Sequence, residues 1–127
     1  MSNRAMIATP RAPAALGPYS QAVKVGNTVW LSGQIPLVPE TMEVVDGDVT
    51  AQANQAFSNL AAVAEAAGGS LDDAVKINIS LTDMQDFAAV NAVMEIFCNE
   101  PYPARACVQV AALPKGVSVE IEAVLAL

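Results

Sequence analysis

Along this chain the spacing of apolar residues changes several times, and each change marks an expected element. Ala53, Ala56, Phe57, Leu60, Val63, Ala64 and Ala67 recur at helical spacing. Asp48 or Thr50 stands where an N-cap is needed, and Gly68-Gly69 supplies a stop, so a helix to about Ala67 is expected. Val75 to Thr82 then alternates: Val75, Ile77, Ile79 and Leu81 face one way, Lys76, Asn78, Ser80 and Thr82 the other, as in a half-buried strand. A second helix, capped by Asp83 or Asp86, runs to about Phe97 with Met84, Phe87, Val90, Met94 and Phe97 on one stripe. Ala104 to Ala111 and Val117 to Leu125 are expected to pair as a hairpin around Leu113-Pro114-Lys115-Gly116.

Upstream, Met6 to Thr9 reads as a short strand, followed by a loop punctuated by prolines from Pro10 to Pro18. Ala22 to Val25 and Thr28 to Gln34 form a hairpin with Gly26-Asn27 as its two-residue turn. Pro36 and Pro39 end that strand and open a long turn through Gly47. The order β-ββ-α-β-α-ββ predicts an α+β fold in one domain, 1–127, with a mixed sheet and both helices packed on one face. No repeat or linker divides the chain. The other sheet face would carry Asn78, Ser80, Gln109, Ser118, Glu120 and Glu122. Such a face is either solvated or buried at a subunit interface with a cleft in it.

Composition favours self-association. Of 127 residues, 54% are hydrophobic and only 15% charged, leaving few charges to cover a monomer, so a homo-oligomer is expected. Net charge is −7, and the six basic residues are scattered. Binding to phosphate backbones needs clustered Lys and Arg, so neither nucleic acid nor an anionic membrane is an expected partner. No apolar run approaches the ~18 residues of a membrane span, and the start does not read as a leader. With two thiols, Cys98 and Cys107, and no disulfide framework, a reduced cytoplasmic protein is expected.

Histidine is absent, which excludes Ser-His-Asp and Cys-His devices and most catalytic zinc sites. Neither a metal nor a cofactor motif is present. Chemistry must come from carboxylates, Tyr, Cys, Ser, Arg, Lys or the backbone. On a strand, Arg105, Cys107 and Gln109 share a face. A tight turn pairing 112 with 117 sets 109 opposite 120 and 105 opposite 124. Arg105 and Glu120 then share a face, about 13 Å apart at roughly 3.3 Å per residue. If both touch one small substrate, one of them comes from a neighbouring subunit.

Arg105 offers a planar fork suited to a carboxylate, or an ion pair with Glu120, Glu122 or a loop acid. Glu120, if desolvated, becomes a general base or water-positioner; otherwise it is a strand carboxylate facing water. Cys107, flanked by alanine and valine, reads more as a packed thiol than a nucleophile. Tyr19 sits on a loop where its hydroxyl could reach a ligand or simply pack. Ser32-Gly33 permits close backbone approach or marks a bulge. Asn91 is a helix-surface residue or a pocket residue.

Together these residues resemble the RidA family of reactive intermediate/imine deaminases. The stretches that carry the resemblance are GPYSQAV at 17–23, LSGQIP at 31–36, DFAAVNAVME at 86–95 and PARACVQVAALPKGVSVEIEA at 103–123. The resemblance implies a chorismate-mutase-like fold assembled as a homotrimer with clefts between subunits. It also implies cofactor-free hydrolysis of 2-aminoacrylate and related enamines or imines to 2-keto acids and ammonia. Arg105 would hold the substrate carboxylate, Glu120 would orient or activate water, and Tyr19, Ser32, Gly33, Asn91 and the Cys107 backbone would shape the pocket. Departures from the family pattern are Ala112 for Arg, Gln109 for Glu, Ala106 for Ser, and a shorter segment before Arg105. The competing expectations are a non-catalytic 2-keto acid-binding regulatory protein using the same cleft, a ribonuclease or translation inhibitor, and a holdase.

Overall fold

A computed structural model of the chain describes residues 3–127. In chain order its elements are β1 (Ala5–Ile7), β2 (Ala22–Val25), β3 (Thr28–Gln34), β4 (Leu37–Val38), β5 (Glu43–Val44), α1 (Val49–Ala66), β6 (Ala74–Leu81), α2 (Phe87–Phe97), β7 (Ala104–Gln109) and β8 (Val119–Ala126). Six strands form one mixed sheet in the order β1-β2-β3-β8-β6-β7, and β4 with β5 makes a separate two-stranded ladder. Both helices pack on one face, as expected of this α+β pattern.

The helical periodicity of α1 buries Phe57, Leu60 and Val63 completely against the sheet. Each such side chain contributes roughly 1.5–3 kcal/mol by leaving water. Asp48, not Thr50, is the N-cap: its carboxylate accepts the Ala51 N–H at 3.0 Å. The Phe57 and Phe97 rings stack with centroids 5.4 Å apart, fixing α1 against α2. From the sheet, Val29, Ile77, Ile79, Leu81, Val119, Ile121 and Leu125 complete the core.

Several expectations are corrected. The first concerns the last two strands, which do not form a hairpin. β7 runs parallel to β6, with Arg105 beside Ile77 and Gln109 beside Leu81. β8 runs antiparallel on the other side of β6 and also pairs with β3. The physical reason lies in what precedes each strand. β6, α2 and β7 form a β-α-β crossover, which delivers a parallel neighbour. Segment 110–118 then steps over the end of β6, and β8 enters the slot that the β3-α1-β6 connection leaves open. Its composition suits that central place: Val119, Ile121, Ala123 and Leu125 are all buried, whereas β7 is exposed along nearly its whole length.

The second correction concerns Val75, which is half exposed because a register irregularity between Ala74 and Lys76 turns it out of the alternation; Ala74 is buried instead. The third concerns Met84, which lies in a 3₁₀ turn, Met84–Asp86, and is exposed rather than part of the α2 stripe. Asp83 caps that turn through the Gln85 N–H at 2.9 Å, and Asp86 makes no capping bond to α2. The first strand is also shorter than expected, and Thr9 lies beyond it.

Candidate active site

β7 and α2 build the first half of the site. Because Arg105 shares its orientation with Ile77, it projects toward the helices. α2 meets it with Phe87, Asn91 and Met94, which fall on successive turns of one stripe. The guanidinium donates to the Asn91 side-chain oxygen and to the Met94 sulfur at 3.8 Å, and it lies 5.1 Å from the centre of the Phe87 ring. Asn91 in turn donates its amide N–H to Glu95 at 3.2 Å. Arg is donor-only and an ionised carboxylate acceptor-only, so this pair of bonds fixes which way the Asn91 amide points. No carboxylate bridges Arg105 among the described residues, so its charge is available to a ligand. A cavity of about 290 Å³ opens beside it, lined by Asn91, Met94, Glu95, Tyr102, Pro103 and Arg105.

Cys107, two residues further, packs half-buried against the core. Burial raises its pKa, with Arg105 pulling the other way. That is a poor nucleophile's environment, as the alanine and valine beside it imply. Gln109 also faces the helices, not the open face assigned to it from the sequence. Its side-chain oxygen accepts the Met84 N–H at 2.8 Å, tying the end of β7 to the turn before α2.

The second half lies on the open face of the sheet. Glu120 is beside Ser80 on β6, and Glu122 is beside Asn78, which donates to it at 3.3 Å. An open cleft of about 460 Å³ gathers Tyr19, Ser32, Gly33, Ile35, Pro114, Glu120 and Glu122. The β3–β8 register is interrupted between Leu31 and Gln34, so Ser32 and Gly33 occupy an irregularity, and that gives Glu120 its room. A methyl group on Gly33 would sit 2.9 Å from the Glu120 carboxyl carbon. Ser32 donates its hydroxyl to the Ser20 carbonyl at 2.5 Å and so anchors the loop that carries Tyr19. Burial, and then the Glu122 carboxylate, push the Glu120 pKa above the ordinary carboxylate value.

The expected residues are thus gathered as two sets rather than one. Arg105 and Asn91 meet on the helix side, with Cys107 next along; Tyr19, Ser32, Gly33 and Glu120 meet on the open side. The expectation that Arg105 and Glu120 share a face about 13 Å apart is overturned, because it rested on the β7–β8 hairpin. Sequence reasoning missed Phe87 and Met94 as partners of Arg105, having placed them in the core. The spacing of Phe87, Asn91 and Met94 on one helical stripe was the available signal. It missed Ile35 and Pro114 around Glu120, and it placed Glu122 on the same strand face without giving it a part in the site. Among the described residues no helix is long and apolar enough to cross a membrane, and no three His, Cys, Asp or Glu side chains are grouped to hold a metal ion.

Comparison with known proteins extends over nearly the whole chain. The model of the family described as Endoribonuclease L-PSP matches residues 9–127. A protein of Dermatophagoides farinae named 2-iminobutanoate/2-iminopropanoate deaminase is 51% identical over 125 residues, covering 98% of both chains. A protein of the same name from Escherichia coli K12 is 52% identical, covering 93% of this chain and 94% of its own. The crystal structure of RidA from the Antarctic bacterium Psychrobacter sp. PAMC 21119 superposes with a TM-score of 0.93 at 61% identity, covering 97% of this chain and 99% of that one. On fold and sequence together, the chain belongs to the RidA family, the family that carries the Endoribonuclease L-PSP description.

Proposed function

We propose that this chain hydrolyses small 2-imino acids and their enamine tautomers to 2-keto acids and ammonia, in clefts formed between the protomers of a homotrimer. The observation that carries the reading is the separation of the two charges. Arg105 and Glu120 project from opposite faces of one sheet, each into its own cavity, so a small substrate reaches both only if two protomers supply them. A contact between two different surfaces is heterologous; where its rotation closes it makes a ring, of which three protomers is the smallest. The open edge of β7 and the apolar row Met6, Val23, Trp30 and Val124 on the open face favour such a contact; Met6 and Trp30 are 67% and 57% exposed. The names of the close relatives support the reaction.

In this mechanism the Arg105 fork, held by Asn91, pairs with the substrate carboxylate. An enamine first gains a proton at carbon and loses one at nitrogen to become the imine. Glu120 takes a proton from water as the water oxygen bonds to the imine carbon and hands it to the nitrogen, giving a carbinolamine. Glu120 then takes the carbinolamine hydroxyl proton and returns it to the nitrogen as the C–N bond breaks and the C=O forms, so one water and one imine give one keto acid and one ammonia. A carboxylate with a raised pKa is the better base near neutrality. Because the imine carbon is already electrophilic, clamping, proximity and one carboxylate suffice. Tyr19, Ser32 and Gly33 would wall the Glu120 side, and the unpaired outer edge of β7 would present the Cys107 backbone.

The second reading, a 2-keto acid-binding regulator without turnover, is favoured by Tyr102 and Pro103, which bring the shortened segment into the Arg105 cavity. The ribonuclease reading has the family description in its favour but a net charge of −7 and no histidine against it. Refolding a 1:1 mixture of Arg105→Ala and Glu120→Ala chains separates these outcomes. Each variant alone is expected to be inactive on imines generated in situ. In random mixed rings about a quarter of the clefts combine an intact Arg105 with an intact Glu120, so about a quarter of wild-type activity returns. No recovery would place both groups in one chain's site and overturn the proposal. Keto-acid binding without hydrolysis in the wild type would favour the regulator, and cleavage of RNA by the purified protein the ribonuclease.

A further inference from the structure

Beside the Glu120 cleft lies a second, smaller cavity of about 210 Å³ that the reaction as written does not use. It shares Tyr19, Gly33, Ile35 and Pro114 with the cleft, so the two adjoin along a common wall. Away from the carboxylate its wall is apolar, formed by Leu16, Leu37 and Met42 among others. Met42 and Lys115 have φ of 61° and 57°, and among the described residues they are the non-glycine residues in the left-handed region. Both line this one cavity. Non-glycine residues held with that backbone cost of order 1–3 kcal/mol each, persist only where the surrounding structure over-determines them, and cluster at functional sites.

The wall is also preformed. Asn59 of α1 is buried and donates to the Leu37 carbonyl at 2.9 Å and the Ile35 carbonyl at 3.4 Å, while Gln55 donates to its oxygen at 2.9 Å. That clamp fixes the segment between β3 and β4 onto α1. The β4–β5 ladder then holds the turn that carries Met42, whose N–H donates to the Val38 carbonyl at 2.7 Å. The small ladder thus builds one side of a pocket.

We propose that this annex is the subsite for the aliphatic side chain of the imine, and that Leu16 and Met42 set which side chains are accepted. The inference rests on the imine-binding reading above. With the carboxylate on Arg105 and the imine carbon near Glu120, the side chain is the remaining substituent, and the annex is the apolar space adjoining that carbon. A branched four-carbon side chain fits; a charged one meets no opposite charge except Lys115 at the rim. The wild type therefore favours the leucine-derived imine over the alanine-derived one by about tenfold or more in kcat/KM.

The test uses the full-length protein and two substitutions chosen to fold. Leu16 is 77% exposed, so Leu16→Trp narrows the annex without disturbing the core. Met42→Gly removes the end wall and suits the left-handed backbone. An amino-acid oxidase supplies the alanine-, leucine- and phenylalanine-derived imines. The ratio of kcat/KM for the leucine over the alanine imine is expected to fall at least tenfold in Leu16→Trp, and the phenylalanine over leucine ratio to rise several-fold in Met42→Gly. Ratios unchanged in both variants would overturn the subsite. Calorimetric affinities for 4-methyl-2-oxopentanoate and pyruvate give the same ratio without turnover. A protein that hydrolyses no imine yet loses its preference for the larger keto acid in Leu16→Trp would sink the deaminase reading and keep the subsite.

Discussion

Replacing Gly33 with alanine tests whether the placement of Glu120 governs the rate. The added methyl carbon would lie 2.9 Å from Glu120 Cδ and 3.1 Å from both Cγ and Oε1. Carbon atoms in ordinary contact sit at about 3.5–4.0 Å, so the carboxyl group must retreat by roughly 0.6 Å or more. The retreat is cheap for the fold. The atoms that move are the end of a flexible side chain facing an open cleft, and Gly33 does not occupy the left-handed region that would strain an alanine. Stability is therefore expected to change by no more than about 1 kcal/mol. Catalysis tolerates less, because productive geometry is held to within about 0.5 Å and a 1 Å misplacement costs about 100-fold. The expected result is a 10- to 100-fold loss in kcat/KM, or about 1.4–2.7 kcal/mol of transition-state stabilisation. The assay couples an amino-acid oxidase to ammonia release, with the melting temperature measured on the same samples. Turnover within twofold of wild type in Gly33→Ala would refute the reasoning, and so would a loss explained by unfolding.

Arg105→Lys keeps the charge but loses the bidentate fork, and should raise KM by about 10-fold or more, with Arg105→Ala worse; a Lys variant with wild-type KM would argue against carboxylate clamping. The kcat/KM profile should fall on acidification with a midpoint above the ordinary carboxylate value, as Glu120 gains its proton, and Glu120→Gln should abolish both the limb and the activity. The stability sign runs the other way. A carboxyl whose folded pKa is raised binds more protons folded than unfolded, so it destabilises progressively as pH rises from the ordinary value through the folded one. Glu120→Gln should thus raise the melting temperature at pH 7 and leave it unchanged at pH 4, and equal effects at both would contradict the burial argument. Asn59→Ala leaves the Leu37 carbonyl without its buried donor, at a cost of about 1–3 kcal/mol; denaturant unfolding with an unchanged midpoint would show that the clamp is idle.

Much of the architecture was legible because single elements announce themselves locally. The α1 stripe, the Asp48 cap and the β2–β3 hairpin, with Gly26 at φ 58° in its turn, follow from spacing and turn chemistry alone. Strand partners did not, because pairing is decided by which strand best fills a buried slot. The alternating apolar residues of β8 fit a central place, whereas Ala104-Arg105-Ala106-Cys107-Val108-Gln109 has little contrast between its faces. Taking the two as hairpin partners turned Arg105 to the wrong side. The choice of candidate residues did not depend on that pairing, because the family resemblance also carries it. Val75 was misassigned for a similar reason: an irregularity in register leaves no trace in an alternating pattern.

The central position of β8 also shapes how the protein is made. During synthesis β3 and β6 emerge first, each with an edge of unpaired backbone N–H and C=O groups awaiting a neighbour. The sheet cannot be completed until residues 119–126 leave the ribosome. A nascent chain stalled before that point exposes two unpaired strand edges and carries neither Glu120 nor a closed core. Loss of this one strand would accordingly give aggregation rather than a smaller working protein.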